Sequence, residues 1–216
     1  MAMADTNYAI HRLTRDEIEG SFDRAMRLRL GELIYCALPE FYEHIPIERS
    51  TLFSLLADQV DLPLTELSET YGFRDAGLPL GILSVIDSRD VKRSQMAGAL
   101  MIIRELGGEA TAAFNSAVAK YRQSVEDRGA FEGKYIPRIA VSPEARAKGV
   151  ARALINHVIG LYPDVPIALH VAQTNIAGTN LYASLGFKPQ SDTTLPIRVL
   201  VRPPAREAES AMPRRG

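Results

Sequence analysis

Apolar positions along this chain switch between a two-residue and a roughly 3.6-residue period, and the switches divide it into elements. "YAIHRLT" (8–14) alternates and predicts a first strand. "RDEIEGSFDRAMRLRLGELIYCAL" (15–38) repeats at helical spacing, with Ile18, Phe22, Met26 and Leu30 on one face. "LPEFYEHIPIERS" (38–50) interrupts that helix at its prolines, and "STLFSLLADQVD" (50–61) predicts a second helix with a serine cap. "ELSETYGFRDAGLPLGILSVIDS" (66–88) predicts two strands joined by a turn at Ala76-Gly77-Leu78-Pro79. Residues 88–128 are helical in pattern and divided at Gly107-Gly108. Within them "QMAGALMIIREL" (95–106) is apolar around most of its circumference, which predicts a helix that is buried or meets a partner.

The second half of the chain is easier to divide. "KYIPRIAVS" (134–142) reads as a strand, although Pro137 lacks a ladder donor and belongs at a strand start, an edge or a bulge. A helix is expected from about Glu144 to Leu161, with Val150, Leu154 and Val158 inward. "PIALHVAQ" (166–173) predicts a strand. "TNIAGTNLYASLGF" (174–187) predicts a helix capped by Thr174 or Asn175 and stopped at Gly186. "LPIRVLVRP" (195–203) predicts a last strand, and the charged tail 206–216 reads as disordered. Strand, helix, strand and helix in succession imply a parallel unit inside a sheet whose first half is hairpin-like. The fold class is therefore mixed α/β, in a single domain over 1–205 with a helical insertion at 88–128.

Composition sharpens this picture in a few respects. A length of 216 residues suits one substantial core, and 46% hydrophobic with 24% charged residues is ordinary for a soluble globular protein. A net charge of −1 argues against a general nucleic-acid partner. Cys36 is the single cysteine; it cannot form an internal disulfide, has no metal-ligand spacing, and is expected to be buried as a small apolar residue. The start "MAMADTNYAI" shows no secretory pattern, and no apolar run approaches a membrane span. A cytoplasmic enzyme or binding domain, without a membrane or a metal, is the expectation.

The chemistry concentrates in "ARAKGVARAL" (145–154), where Arg146, Lys148 and Arg152 surround Gly149 at the expected start of a helix. The first amides of a helix lack internal partners and carry the positive end of its dipole. With no side chain at Gly149 and small ones at Ala147 and Ala151, an anion can approach that backbone closely. A solvated helix start is the alternative reading. The stretch has no Gly-Lys-Ser/Thr and lacks the three glycines of a dinucleotide fingerprint.

A second constellation follows downstream. "YIPRIAVSPEARAKGVARALI" and then "IALHVAQTNIAGTNLYASLGFKP" resemble the GNAT superfamily of N-acetyltransferases. The resemblance lies in Arg-x-x-Gly-x-Gly/Ala at Arg146–Ala151, in Val-x-x-x-Asn at Val171–Asn175, and in Leu-Tyr-x-x-Leu-Gly-Phe at Leu181–Phe187. It implies a central mixed sheet of about seven strands flanked by helices. It implies that acetyl-CoA lies where strand 135–142 splays from strand 166–173, its pantetheine arm on the backbone near Ile139, Ala140 and Val141. The pyrophosphate would sit on the amides of Arg146, Ala147, Lys148, Gly149, Val150 and Ala151. Asn175 would hold the chain or the cofactor, or cap its helix. Tyr182 would protonate the departing thiolate, or simply pack on its helix.

The resemblance implies direct transfer to an amine of a small molecule, amino acid or peptide, with no metal. A protein or N-terminal acetyltransferase and a non-catalytic acyl-CoA sensor are the alternatives. For the general base, His170 lies beside the expected cleft, although strand alternation also allows it to face the core. Tyr135, Glu132, Glu40, Glu43 and His44 are further candidates, while His11 and His157 read as structural. The insertion departs from the family pattern and is expected to form a homodimer face or to roof the acceptor side.

Overall fold

The strand-forming segments join into one seven-stranded sheet in a computed structural model that describes residues 9–20, 24–74, 77–127, 129 and 131–205. Phe22, Ala76 and the tail 206–216, all named above, lie outside the described residues. The strands are β1 (Ala9–Arg12), β2 (Thr70–Arg74), β3 (Pro79–Asp87), β4 (Lys134–Val141), β5 (Ile167–Ala172), β6 (Lys188–Pro189) and β7 (Ile197–Arg202). Their order is β1-β2-β3-β4-β5-β7-β6, and the β4–β5 pair is parallel while the other neighbours are antiparallel. This is the mixed sheet that the strand–helix–strand run and the resemblance both predict.

Eight α-helices cover the sheet among the described residues: α1 (Arg15–Gly20), α2 (Arg24–Cys36), α3 (Pro39–Tyr42), α4 (Arg49–Ala57), α5 (Val91–Glu105), α6 (Gly108–Ser124), α7 (Val150–Leu161) and α8 (Ile176–Ser184). Alternation along the strands sorts their side chains into two layers. Leu83 and Val85 of β3 face Val150, Leu154, Ile155 and Val158 of α7 and Tyr182 of α8. Ile82 and Ala140 face the other way, toward Leu30, Leu33, Leu52, Leu56, Ile102 and Phe114 from α2, α4, α5 and α6. A smaller cluster of Ile86, Val91, Tyr135, Ala168 and Val199 continues that second layer.

Several local expectations are corrected. The cap of α4 is Glu48, not the serine; its carboxylate accepts the Thr51 amide at 2.9 Å and is held at about 2 by hydrogen bonds from Ser50 and Thr51. α7 begins at Val150, because residues 143–145 form a 3₁₀ turn and Ala147 and Gly149 both take left-handed backbone, which no α-helix accommodates. Cys36 is exposed. It lies on the stripe of α2 that carries Arg29 and Glu32, while Met26, Leu30, Leu33 and Ile34 form the buried one. α5 buries Val91, Ser94, Gly98 and Ile102, but leaves Met96 64% and Leu100 51% exposed. The division at Gly107-Gly108 is where it was expected. No helix of the described residues is long and apolar enough to cross a membrane.

Gly31 fixes how closely α2 crosses α4. A Cβ there would stand 1.9 Å from the backbone oxygen of Phe53. Glycine to alanine in an exposed helix gains about 1 kcal/mol from propensity. Overpacking against a rigid backbone costs about 1–3 kcal/mol or more, so the steric effect wins at this site. Urea unfolding of Gly31→Ala should show a net loss of stability; an equal or raised midpoint would contradict the close crossing.

Candidate active site

The site begins where β4 leaves β5. Their parallel ladder runs only from Lys134 to Ile136 against Ile167 to Leu169. Alternation from the Lys134 N–H on Pro166 O would place the next β4 bond to β5 at residue 138. On its other side β4 stays paired with β3, where Ile86 faces Tyr135 and Ser84 faces Arg138. Ile136 and Pro137 therefore oppose Val85 alone, a bulge that bends β4 away from β5. Ser142 donates to the Leu80 oxygen at 2.8 Å, so alternation turns Ala140 and Arg138 toward β3 and points the N–H and C=O of Ile139 and Val141 into the gap. On the facing strand Gln173 donates to the Pro196 oxygen at 2.8 Å, which turns the backbone of His170 and Ala172 gapward. The gap thus has a free strand edge able to pair with an amide-bearing chain.

At the top of β4 the chain enters the loop that carries the basic cluster. Ala147 (φ 59°) and Gly149 (φ 81°) turn it, and glycine is suited to the second position by its backbone. The space beyond Gly149 is open, with no atom of the described residues within 4 Å of where a Cβ would stand. The first helical bond of α7 is Ala153 N–H to Gly149 O at 2.9 Å, which leaves the amides of Gly149, Val150, Ala151 and Arg152 ahead of the ladder. Arg146 and Lys148 are exposed beside them, and Arg152 also reaches Ser184 Oγ at 2.9 Å. The Arg146 guanidinium leans back over the Val141 carbonyl at 3.5 Å. Arg29 of α2 ties this corner to the helical layer through an ion pair with Glu144. Free amides, positive charge and absent side chain together suit a phosphate group.

The face of the gap away from α7 is closed by the insertion. His170 is the first β5 residue beyond the ladder, and its Nε2 lies 2.9 Å from the Glu126 carbonyl oxygen. A carbonyl only accepts, so Nε2 carries the proton. Nδ1 then accepts from the Tyr135 hydroxyl at 2.7 Å. The two base candidates thus meet across the foot of the gap. Glu126 itself follows α6; its amide donates to Ile197 O at 2.8 Å, and its buried carboxylate takes the Val199 amide at 2.6 Å and the Ser191 hydroxyl. One turn earlier Tyr121 stands beside Arg138 of β4; burial pushes its phenol up to about 12 although that guanidinium acts in the opposite sense. The end of α6 therefore spans from β4 to β7 over the gap.

Tyr182 of α8 is buried in the layer shared with α7, its ring 5.9 Å from that of Phe187. Burial pushes its phenol up to about 12, so it keeps its proton throughout the neutral range. Asn175 caps α8, its Oδ1 accepting the Gly178 amide at 2.8 Å. The remaining candidates are dispersed. Glu132 borders a cavity of about 330 Å³ with Asp87, Arg89 and Asp164 at the opposite end of β4. Glu43 and His44 pair with each other at 3.2 Å on the surface. His157 packs edge-on against Tyr71, and His11 lies 3.5 Å from Glu17. Partial desolvation and the nearby Glu32 carboxylate raise the Cys36 thiol, away from a reactive thiolate. No group of three metal-binding side chains occurs among the described residues. Sequence reasoning missed Arg138, Glu66 and Glu126, and the available signal was an arginine next to a strand proline.

Residues 89–187 match the family model described as the acetyltransferase (GNAT) family. Among solved structures the chain is similar to the crystal structure of histone acetyltransferase HPA2 and related acetyltransferase from Corynebacterium glutamicum. The two are 21% identical over 96% of this chain and 98% of that chain, with a TM-score of 0.56. It is also similar to an N-acetyltransferase from Staphylococcus aureus, at 15% identity over 83% of this chain and 96% of that chain and a TM-score of 0.62. No curated protein sequence matches it. At such identities the solved structures speak for the fold, and the family model speaks for the segment that holds the gap, the basic loop and α8. Over residues 89–187 the chain is similar to the acetyltransferase (GNAT) family.

Proposed function

We propose that the protein transfers an acetyl group from acetyl-CoA to the primary amine of a small molecule, amino acid or peptide. The observation that carries this reading is the continuity of the gap with the basic loop. A strand edge without a partner strand at Ile139 and Val141 leads directly to the amides ahead of the α7 ladder. The pantetheine arm fits the first, with Ala140 between its two contacts, and the pyrophosphate fits the second. Arg146, Ala147, Lys148, Gly149, Val150 and Ala151 line the anion site. Asn175, its oxygen engaged by the cap, offers its NH₂ to the cofactor. A cytoplasmic setting suits an enzyme that draws on acetyl-CoA.

The acceptor must lose a proton, because an ammonium of pKa about 10 has no lone pair for attack. His170 in its Nε2–H tautomer takes that proton at Nδ1 through the Tyr135 hydroxyl, and the Glu126 carbonyl steadies the resulting imidazolium. A backbone N–H of β4 facing the gap polarises the thioester carbonyl. Tyr182, protonated at neutral pH, supplies the proton that the departing thiolate needs. The α6 roof favours a small acceptor over a folded protein surface. Thiol release measured against an amine panel tests the whole reading; release that no amine accelerates contradicts it.

The anion site can be tested alone. Gly149→Glu places a carboxylate in the open space reserved for phosphate and should abolish CoA binding by calorimetry. Gly149→Ala carries the same left-handed strain of roughly 1–2 kcal/mol without the charge, and should bind CoA much more tightly than the glutamate variant. Normal CoA affinity in Gly149→Glu would overturn the assignment.

The proton donor and acceptor separate kinetically. Tyr182→Phe should keep CoA affinity and slow thiol release by roughly 10²-fold, as loss of a general acid does. His170→Gln should slow it comparably at neutral pH, with partial recovery as rising pH deprotonates the acceptor in solution. Unchanged turnover in either variant, with chemistry limiting, would remove that residue from the mechanism.

A further inference from the structure

Arg138 occupies an unusual position, immediately after the proline at which β4 leaves β5, on the face roofed by α6. Its side chain is only 13% exposed and that of Glu66 only 10%, and the two pair through Nη2 and Oε2 at 2.8 Å. Nη1 bonds the Pro137 carbonyl oxygen at 2.8 Å. Tyr42 and Tyr121 stand close enough to act on the guanidinium charge. Yet Arg138 Nε and Glu66 Oε1 are buried with no hydrogen-bond partner among the described residues. So is the Oγ of Ser84, the residue directly opposite Arg138 on β3. Directly opposed side chains of a ladder share a face, so the three orphaned atoms belong to one cluster.

Buried polar atoms without partners are costly and rare, and three together at the edge of the gap call for a ligand. We propose that Arg138, Glu66 and Ser84 recognise the acceptor, and that it is a zwitterion of the α-amino-acid type. Arg138 Nε–H can only donate, so it requires a ligand oxygen. The Glu66 carboxylate oxygen can only accept, so it requires a ligand N–H. The side chains that carry them are joined by one ion pair, and an α-amino acid carries its ammonium and carboxylate on a single carbon. A simple alkylamine would leave Arg138 Nε without an acceptor, and a simple carboxylate would leave Glu66 Oε1 without a donor. Ser84 completes either end with its hydroxyl. This site rests on the acetyltransferase reading for its place beside the gap, but its test does not depend on turnover.

The full chain, saturated with CoA, is examined by saturation-transfer NMR with the free α-amino acids, their methyl esters, their N-acetyl derivatives and butylamine. At least one free amino acid should bind, and its ester and N-acetyl forms should bind about 10-fold more weakly or worse, each having lost one charge-assisted contact. Arg138→Gln and Glu66→Gln should lose that binding and keep CoA affinity. The proposal is overturned if no free amino acid binds at millimolar concentration, if the ester and N-acetyl forms bind as well as the parent, or if folded variants bind it undiminished; the last outcome marks a structural ion pair only. Should a variant fail to fold, the ester and N-acetyl comparison on the native chain decides. Amino-acid binding without thiol release would contradict the transfer reading and leave this one standing, and release from butylamine with no amino acid bound would do the reverse.

Discussion

A β-bulge organises this molecule. The parallel ladder ends at Ile136, and the bulge of Ile136 and Pro137 turns Arg138 to β3 and β4 outward from β5. A sheet in an α/β domain normally satisfies its backbone from strand to strand. Here the edge at Ile139 and Val141 is left without a strand partner in the interior of the sheet order, between β4 and β5. That edge is what the proposed cofactor site rests on, and the helix that starts at Val150 ends the gap in amides ahead of its ladder.

The two faces of the gap serve different ends. On one, α7 and α8 pack Leu154, Ile155 and Val158 against β3 and bring Tyr182 into the same layer. On the other, the end of α6 is fastened to β7 by the Glu126 carboxylate and to β5 through His170. The insertion therefore closes one face of the gap, and its Tyr121 lies within the electrostatic reach of Arg138. Deleting it would expose the Arg138–Glu66 pair and free His170 from the carbonyl that fixes its tautomer.

The segment from Lys134 to Phe187 was legible because its punctuation is local. Pro137, Pro143, Gly149, Asn175 and Gly186 each impose a backbone geometry that neighbouring residues cannot override. The same locality explains the errors. Residues 144–149 have helix-forming side chains, but left-handed Ala147 and Gly149 outweigh propensity. Cys36 was misplaced because its type favours burial, while its stripe on α2 is the polar one. β6 spans only Lys188–Pro189, too short to carry a period. The pairings of Arg138 with Glu66 and of His170 with Tyr135 join residues far apart in the chain. No periodicity reports such contacts, so these pairings stayed closed to sequence reasoning, while the local punctuation of the basic loop did not.

Amide hydrogen exchange, resolved by residue with and without CoA, measures the central claim directly. Amides that turn into the gap or precede the α7 ladder should exchange freely in the unliganded protein and slow when CoA binds. The account predicts that slowing at Ile139, Val141 and Gly149 to Arg152, with little change at Ala140, whose amide already faces β3. Protection by CoA that appears elsewhere and spares these positions would contradict it.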